Sequence, residues 1–295
     1  MKIDAFISRH GLPESYAASA ENHYLPFADW LLGRIGTADG NTFVLGINGA
    51  QGTGKSTCAD LIKEYLATEY DLRSVVLSID DIYRTRRERR SLAQEVHPLF
   101  EIRGVPGTHD VALGLRTIEQ LKSLRAGSTM RIPRFDKSVD DRLPESEWPV
   151  VTGPVDLVIF EGWCIASQPC DPSELEQPVN LLERDKDKDA TWRAYVNERL
   201  NGEYKALFAT LDALLFLKAP DFKVVYEWRL QQEHKLRAQS GSTAKGIMSD
   251  AEVAEFIQYY ERITKENIRH LPNVADAVIE LDVDHSAVAT TFREC

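Results

Sequence analysis

Thr42-Phe43-Val44-Leu45-Gly46-Ile47-Asn48-Gly49-Ala50-Gln51-Gly52-Thr53-Gly54-Lys55-Ser56-Thr57 is the stretch that decides how this chain folds. Residues 42–47 form the continuous apolar run of a strand buried on both faces, as a parallel sheet requires. Gly49 to Ser56 then fit G-x-x-x-x-G-K-[ST], whose glycines at 49, 52 and 54 let successive backbone N–H groups converge on an anion. Cys58, Leu61, Ile62, Tyr65 and Leu66 follow at helical spacing, so a helix aims its positive end at the same point. Strand, glycine turn and helix in that order make a phosphate cradle. Gly49, Ala50, Gln51, Gly52, Thr53 and Gly54 supply its backbone. Lys55 is placed for the β- and γ-phosphates of a nucleotide, Ser56 for Mg²⁺, and Thr57 for the α-phosphate.

Working outward, Ser74 to Ile79 reads as a second buried strand, Val155 to Phe160 as a third, Ala213 to Leu217 as a fourth and Ala277 to Leu281 as a last one. Helical patterns separate them, over Val111–Leu124 and after the Ser249-Asp250-Ala251-Glu252 capping box. The alternation predicts an α/β fold with a doubly wound, mostly parallel sheet flanked by helices and carrying a helical lid. Residues 1–40, with helical periodicity from Tyr24 to Ile35, read as an N-terminal helical preamble. Residues 41–295 read as the core, with acceptor-binding loops over about 84–150 and a lid over about 183–248. The mixed-charge run Glu183 to Asp189 is expected to be a solvated loop, and Arg84 to Arg90 a solvated helix face.

Acidic side chains outnumber basic ones, 46 to 35, for a net charge of −11, so the summed field opposes a polyanion and speaks against broad nucleic-acid binding. No apolar run approaches the roughly 20 residues that span a bilayer, and the first residues lack a signal-peptide pattern. Cys58, Cys164, Cys170 and Cys295 form no C-x-x-C pair and read as reduced thiols of a cytoplasmic protein.

Ligands in open parallel sheets bind beyond the carboxyl ends of strands, which gives weight to acidic residues there. Asp80 and Asp81 follow the second strand and Glu161 follows the third. Phosphoryl transfer to a hydroxyl needs a positioned acceptor, a metal and a proton acceptor. Asp80 is the candidate base and Asp81 the second; Glu161 suits a Mg²⁺ or water ligand. Either aspartate could instead cap the following helix. Arg103 to Asp110 and Pro133 to Arg142 are polar loops in which Arg103, His109, Arg134 and Lys137 can face an acceptor, whereas Thr108 or Asp110 suits an N-cap. Arg229 follows the fourth strand on a helix, where an arginine can close over a transferring phosphate, and Trp228 reads as packing.

Together, Gly46–Thr57, Ser78–Tyr83, Arg103–Asp110, Pro133–Ser138, Phe160–Trp163 and Trp228–Glu233 resemble the glycerate kinase-like branch of P-loop kinases, related to the uridine kinase, phosphoribulokinase and pantothenate kinase group. The resemblance implies a P-loop NTPase fold and transfer of the γ-phosphoryl of Mg-ATP to a small hydroxylated metabolite, with D-glycerate the leading acceptor. It places Asp80 at the catalytic aspartate, Glu161 in the Walker B site and Arg229 on the lid. Asp81, Tyr83, Arg103, His109, Arg134, Asp136 and Lys137 fall on the acceptor side. The chain departs from the family at Ile82, at Phe135 and at Val139-Asp140-Asp141-Arg142. A nucleoside or pantothenate kinase, and a nucleotide-dependent switch without a small acceptor, are the alternatives.

Overall fold

The computed structural model describes residues 1–37, 40–240 and 248–293. Among the described residues there are ten strands: β1 Phe43–Gly49, β2 Ser74–Ser78, β3 Thr129–Arg131, β4 Phe135–Asp136, β5 Asp141–Arg142, β6 Val150–Thr152, β7 Leu157–Gly162, β8 Ala213–Lys218, β9 Ala277–Leu281 and β10 Ala287–Phe292. Among the described residues the helices are α1 Ile3–His10, α2 Tyr16–Ser19, α3 Leu25–Gly36, α4 Lys55–Tyr70, α5 Arg86–Glu95, α6 Val111–Ser123, α7 Leu181–Lys186, α8 Thr191–Arg199, α9 Lys205–Phe208, α10 Phe222–Ser240, α11 Asp250–Phe256 and α12 Gln258–His270.

The central sheet runs β10-β9-β8-β1-β7-β2, parallel except for β10. Every residue of β1 and of β7 is buried, which is why both are apolar without alternation. The helices of residues 3–36 contribute Phe6, Phe27, Ala28 and Leu31 to the same hydrophobic core as the sheet. The expected strands and the helices over residues 24–35 and 111–124 stand within two residues of where periodicity put them, whereas the single helix expected after the Ser249 capping box is two, α11 and α12, divided at Ile257. β10 was not foreseen; Ala287 is its one buried residue and its apolar residues follow no clear period, so it exists by pairing antiparallel with β9.

Two charged segments differ from expectation. Residues 183–189 are not a solvated loop: Glu183 and Asp187 are buried. Arg262 grips Glu183 with Nε at 2.9 Å and Nη2 at 2.6 Å, while Arg193 Nη1 lies 2.8 Å from Asp187 Oδ2. Pairing is what lets such charges leave water. Arg89, within the basic run, is likewise fully buried against Asp140 at 2.6 Å. The stretch expected to form a lid is divided, because β8 lies inside the sheet between β1 and β9. Any lid there is confined to the helices on either side. Its residues 241–247 lie outside the described residues, as does Cys295.

Candidate active site

The register of the sheet assembles the site. Ile47 of β1 lies opposite Glu161 of β7, and Glu161 opposite Ser78 of β2. The glycine loop starts two residues beyond Ile47 and Asp80 stands two beyond Ser78, so loop, Glu161 and Asp80 share one end of three adjacent strands. Gly162 permits the closeness: a Cβ there would lie 2.4 Å from Ile79 Cγ2.

In the glycine loop, Gly52 and Gly54 have φ of 85° and 81°, the left-handed region that glycine occupies freely. Gly54 is the N-cap of α4, and α4 begins with Lys55. Lys55 Nζ donates to Ala50 O at 3.0 Å, and Ser56 Oγ donates to Glu161 Oε1 at 3.1 Å. Burial pulls the Lys55 ammonium pKa below its ordinary value against the opposing pull of Glu161 and Asp80. Burial likewise raises the Glu161 carboxyl, against Lys55. A serine hydroxyl beside one carboxylate is the oxygen pair Mg²⁺ takes when phosphate and water complete its shell, so these residues fit that ion.

The two aspartates have different surroundings. Ser78 caps the short 3₁₀ turn Ile79–Ile82, and Asp81 returns the bond in a capping box. Asp81 is buried, with Oδ2 2.9 Å from Arg134 Nη1, and burial pushes its carboxyl up although Arg134 opposes this. Asp81 therefore does the capping and bracing. Asp80 has both oxygens bonded by side chains: the Tyr83 hydroxyl donates to Oδ1 at 2.6 Å and Lys137 Nζ to Oδ2 at 2.5 Å. Burial alone would raise its pKa, but the charge and hydrogen bond of Lys137, with the Tyr83 hydroxyl, hold it below the ordinary value.

Behind Tyr83 sits His109, fully buried, with ring centroids 4.7 Å apart. Tyr204 Oη accepts the Gly107 N–H at 2.9 Å and lies 2.6 Å from His109 Nδ1. The tyrosine proton then goes to Nδ1, which leaves the hydrogen of the neutral imidazole on Nε2. Burial lowers the His109 pKa to about 3, so the ring is neutral at ordinary pH. Its Nε2 has no protein partner among the described residues. Tyr204 was not singled out from the sequence; it lies 95 residues from His109 in an irregular helix, and only tertiary packing joins them.

The remaining expected residues are placed as follows. Arg103 pairs with Asp140 and lies over the Phe135 ring at 5.5 Å. Asp136 accepts the backbone N–H and hydroxyl of Ser138 at 2.8 and 2.6 Å, which ties it into its own turn. Asp110, not Thr108, caps α6, through Leu113 N at 2.9 Å, and its other oxygen meets Arg142 at 3.0 Å. Arg229 lies on α10, ion-paired with buried Glu233 and 5.8 Å from the Phe256 ring centroid. Trp228 is buried, as its packing role requires.

A kinase of Schizosaccharomyces pombe, known as the uncharacterized kinase mug58, is 36% identical over 230 residues, covering 75% of this chain and 79% of its own. The chloroplastic D-glycerate 3-kinase of Arabidopsis thaliana is 31% identical over 89% of this chain, which spans 59% of the plant protein. The solved D-glycerate 3-kinase of Cryptococcus neoformans superposes with a TM-score of 0.76 at 26% identity, covering 92% of this chain and 99% of its own. This chain belongs to the glycerate kinase-like P-loop kinases. No family model matches the chain. In this kinase the glycine loop, Glu161 and Asp80 stand together at the carboxyl ends of β1, β7 and β2. No helix among the described residues of the kinase is long and apolar enough to cross a membrane.

Proposed function

We propose that the protein transfers the γ-phosphoryl group of ATP to a hydroxyl of D-glycerate, giving phosphoglycerate and ADP. The observation that carries this reading is the Asp80 carboxylate, held ionised between Tyr83 and Lys137 at the same strand ends as Lys55. The acceptor hydroxyl attacks the γ-phosphorus, ADP leaves, and the hydroxyl proton passes to Asp80. Lys55 and the backbone of residues 49–57 hold the phosphates. Ser56 and Glu161 hold Mg²⁺, which when bound neutralises phosphate charge. Arg229, on the helix after β8, approaches the transferring group when the lid closes.

Each cation expected to meet the acceptor carboxylate is paired with an aspartate: Arg103 with Asp140, Arg134 with Asp81 and Lys137 with Asp80. Lys137 has the most exposed side chain of the three and stands nearest the chemistry. It exchanges the base for the carboxylate of glycerate, a swap that frees Asp80 Oδ2 for the hydroxyl proton. His109 Nε2–H supplies a neutral donor to an acceptor oxygen, with the stacked Tyr83 ring beside it; Asp136, at the mouth of its own turn, is the outer acceptor-side residue. The three described cysteines are unpaired, which supports a cytoplasmic setting.

The test is ADP release from Mg-ATP with D-glycerate, glycerol, pantothenate and nucleosides in parallel. D-glycerate should stimulate most, and glycerol, which keeps the hydroxyls but lacks the carboxylate, far less. Equal stimulation by glycerol removes the carboxylate from recognition. No stimulation by any of these compounds overturns the assignment.

A further inference from the structure

The tip of the phosphate loop is held from outside by residues that the loop motif does not contain. Gly52 has no side chain, and a Cβ there would lie 2.8 Å from Trp228 Cβ, so the tip rests against the start of α10. Trp228 Nε1 donates to Val283 O at 2.8 Å, which ties the indole to the turn between β9 and β10. From that turn the His285 imidazole stacks on the indole, with centroids 4.3 Å apart and planes at 23°. His285 Nδ1 lies 3.0 Å from Gly52 O. A carbonyl oxygen only accepts, so Nδ1 carries the hydrogen and donates it.

His285 adopts a φ of 64°, uncommon for a residue with a Cβ. The turn is built to present it: Asp282 Oδ1 accepts the N–H groups of Asp284 and Ser286, each at 2.9 Å. The consequence for the loop follows from peptide geometry. The Gly52 carbonyl belongs to the same planar trans unit as the Thr53 N–H, and the two point in opposite directions. Holding the oxygen outward fixes the direction of that N–H, which otherwise makes only a 3.3 Å bond to Ala50 O.

We propose that His285 is a positioning residue of the phosphate cradle, which fixes the Gly52–Thr53 peptide plane and joins the phosphate loop to the base of α10 and to the far edge of the sheet. The inference rests on residues 49–57 being a nucleotide cradle. It gives the antiparallel β9–β10 turn a part in binding phosphate that lies outside the motif and more than 220 residues from it.

The experiment measures binding of Mg-ATP and of Mg-tripolyphosphate by calorimetry to the full-length protein, to His285→Gly and to His285→Asn. Glycine suits the left-handed backbone and removes the ring, whereas asparagine tolerates that backbone and keeps an N–H donor. His285→Gly should weaken both ligands by the same factor, roughly threefold to tenfold for one lost hydrogen bond, and His285→Asn should recover part of it. Unchanged tripolyphosphate affinity in His285→Gly overturns the proposal, whether ATP affinity falls through a lost nucleobase contact or only the unfolding temperature changes. Equal weakening in the glycine and asparagine variants also overturns it. A wild-type protein that binds no tripolyphosphate, and is indifferent to Lys55→Ala, defeats the cradle reading itself.

Discussion

Lys137 and Tyr83 leave the Asp80 carboxylate no unbonded oxygen, and that crowding explains how a half-buried acid stays charged beside Glu161. Replacing Asp80 with asparagine keeps the shape and removes the proton acceptor, so turnover should fall roughly 100-fold or more while ATP affinity stays nearly constant. Initial-rate kinetics alongside nucleotide titration checks the split; equal turnover would take Asp80 out of the reaction. The Lys137 charge lowers the Asp80 pKa, and a base works only when deprotonated, so the acid limb of kcat/KM lies below the ordinary carboxylate range. In Lys137→Met that lowering is lost, and the limb should move to higher pH. An acid limb at the same pH in both proteins would dissociate Lys137 from the base.

At the scale of elements, the loop Arg103–Asp110 is pinned from three sides. Trp163 Nε1 donates to Gly104 O at 2.9 Å, Tyr204 holds Gly107, and Tyr260 of α12 covers Gly104. Gly104 has φ 137°, and a Cβ there would lie 2.2 Å from the Tyr260 hydroxyl. Gly104→Ala should therefore cost roughly 1–3 kcal/mol in denaturant unfolding, by overpacking and backbone strain, and should raise the acceptor KM more than the ATP KM. Elements differ in how plainly they could be read beforehand. β1, the glycine loop and α4 were legible because their signals are contiguous: an apolar run, glycines at fixed spacing, a 3.6-residue stripe. β10 was not, since Ala287-Val288-Ala289-Thr290-Thr291-Phe292 is a short run without a clear two-residue period, and it becomes a strand by pairing with β9. The burial of Glu183 and Asp187 was equally hidden, because their partners Arg262 and Arg193 arrive on helices α12 and α8.

For the whole molecule, ligand binding and folding are linked, since the cradle exists only when β1, β7 and β2 are in register. Mg-ATP at about 100 times its Kd should add roughly 2.7 kcal/mol to the unfolding free energy of the wild-type protein. Lys55→Ala should lose most of that increment, as read from thermal unfolding with and without nucleotide; full retention would show that Lys55 does not grip the phosphates.

Short-range patterns in the chain were enough to specify the parallel sheet, the phosphate loop and the strand-end positions of Asp80 and Glu161, because periodicity, glycine spacing and strand termini are properties of neighbouring residues. Tertiary structure alone decided which aspartate caps the 3₁₀ turn and which meets Tyr83 and Lys137, which arginines are already paired, and that Tyr204 and His285 arrive from distant segments. Those facts depend on the burial and charge that other segments bring to a side chain, and neither is encoded at the residue's own position.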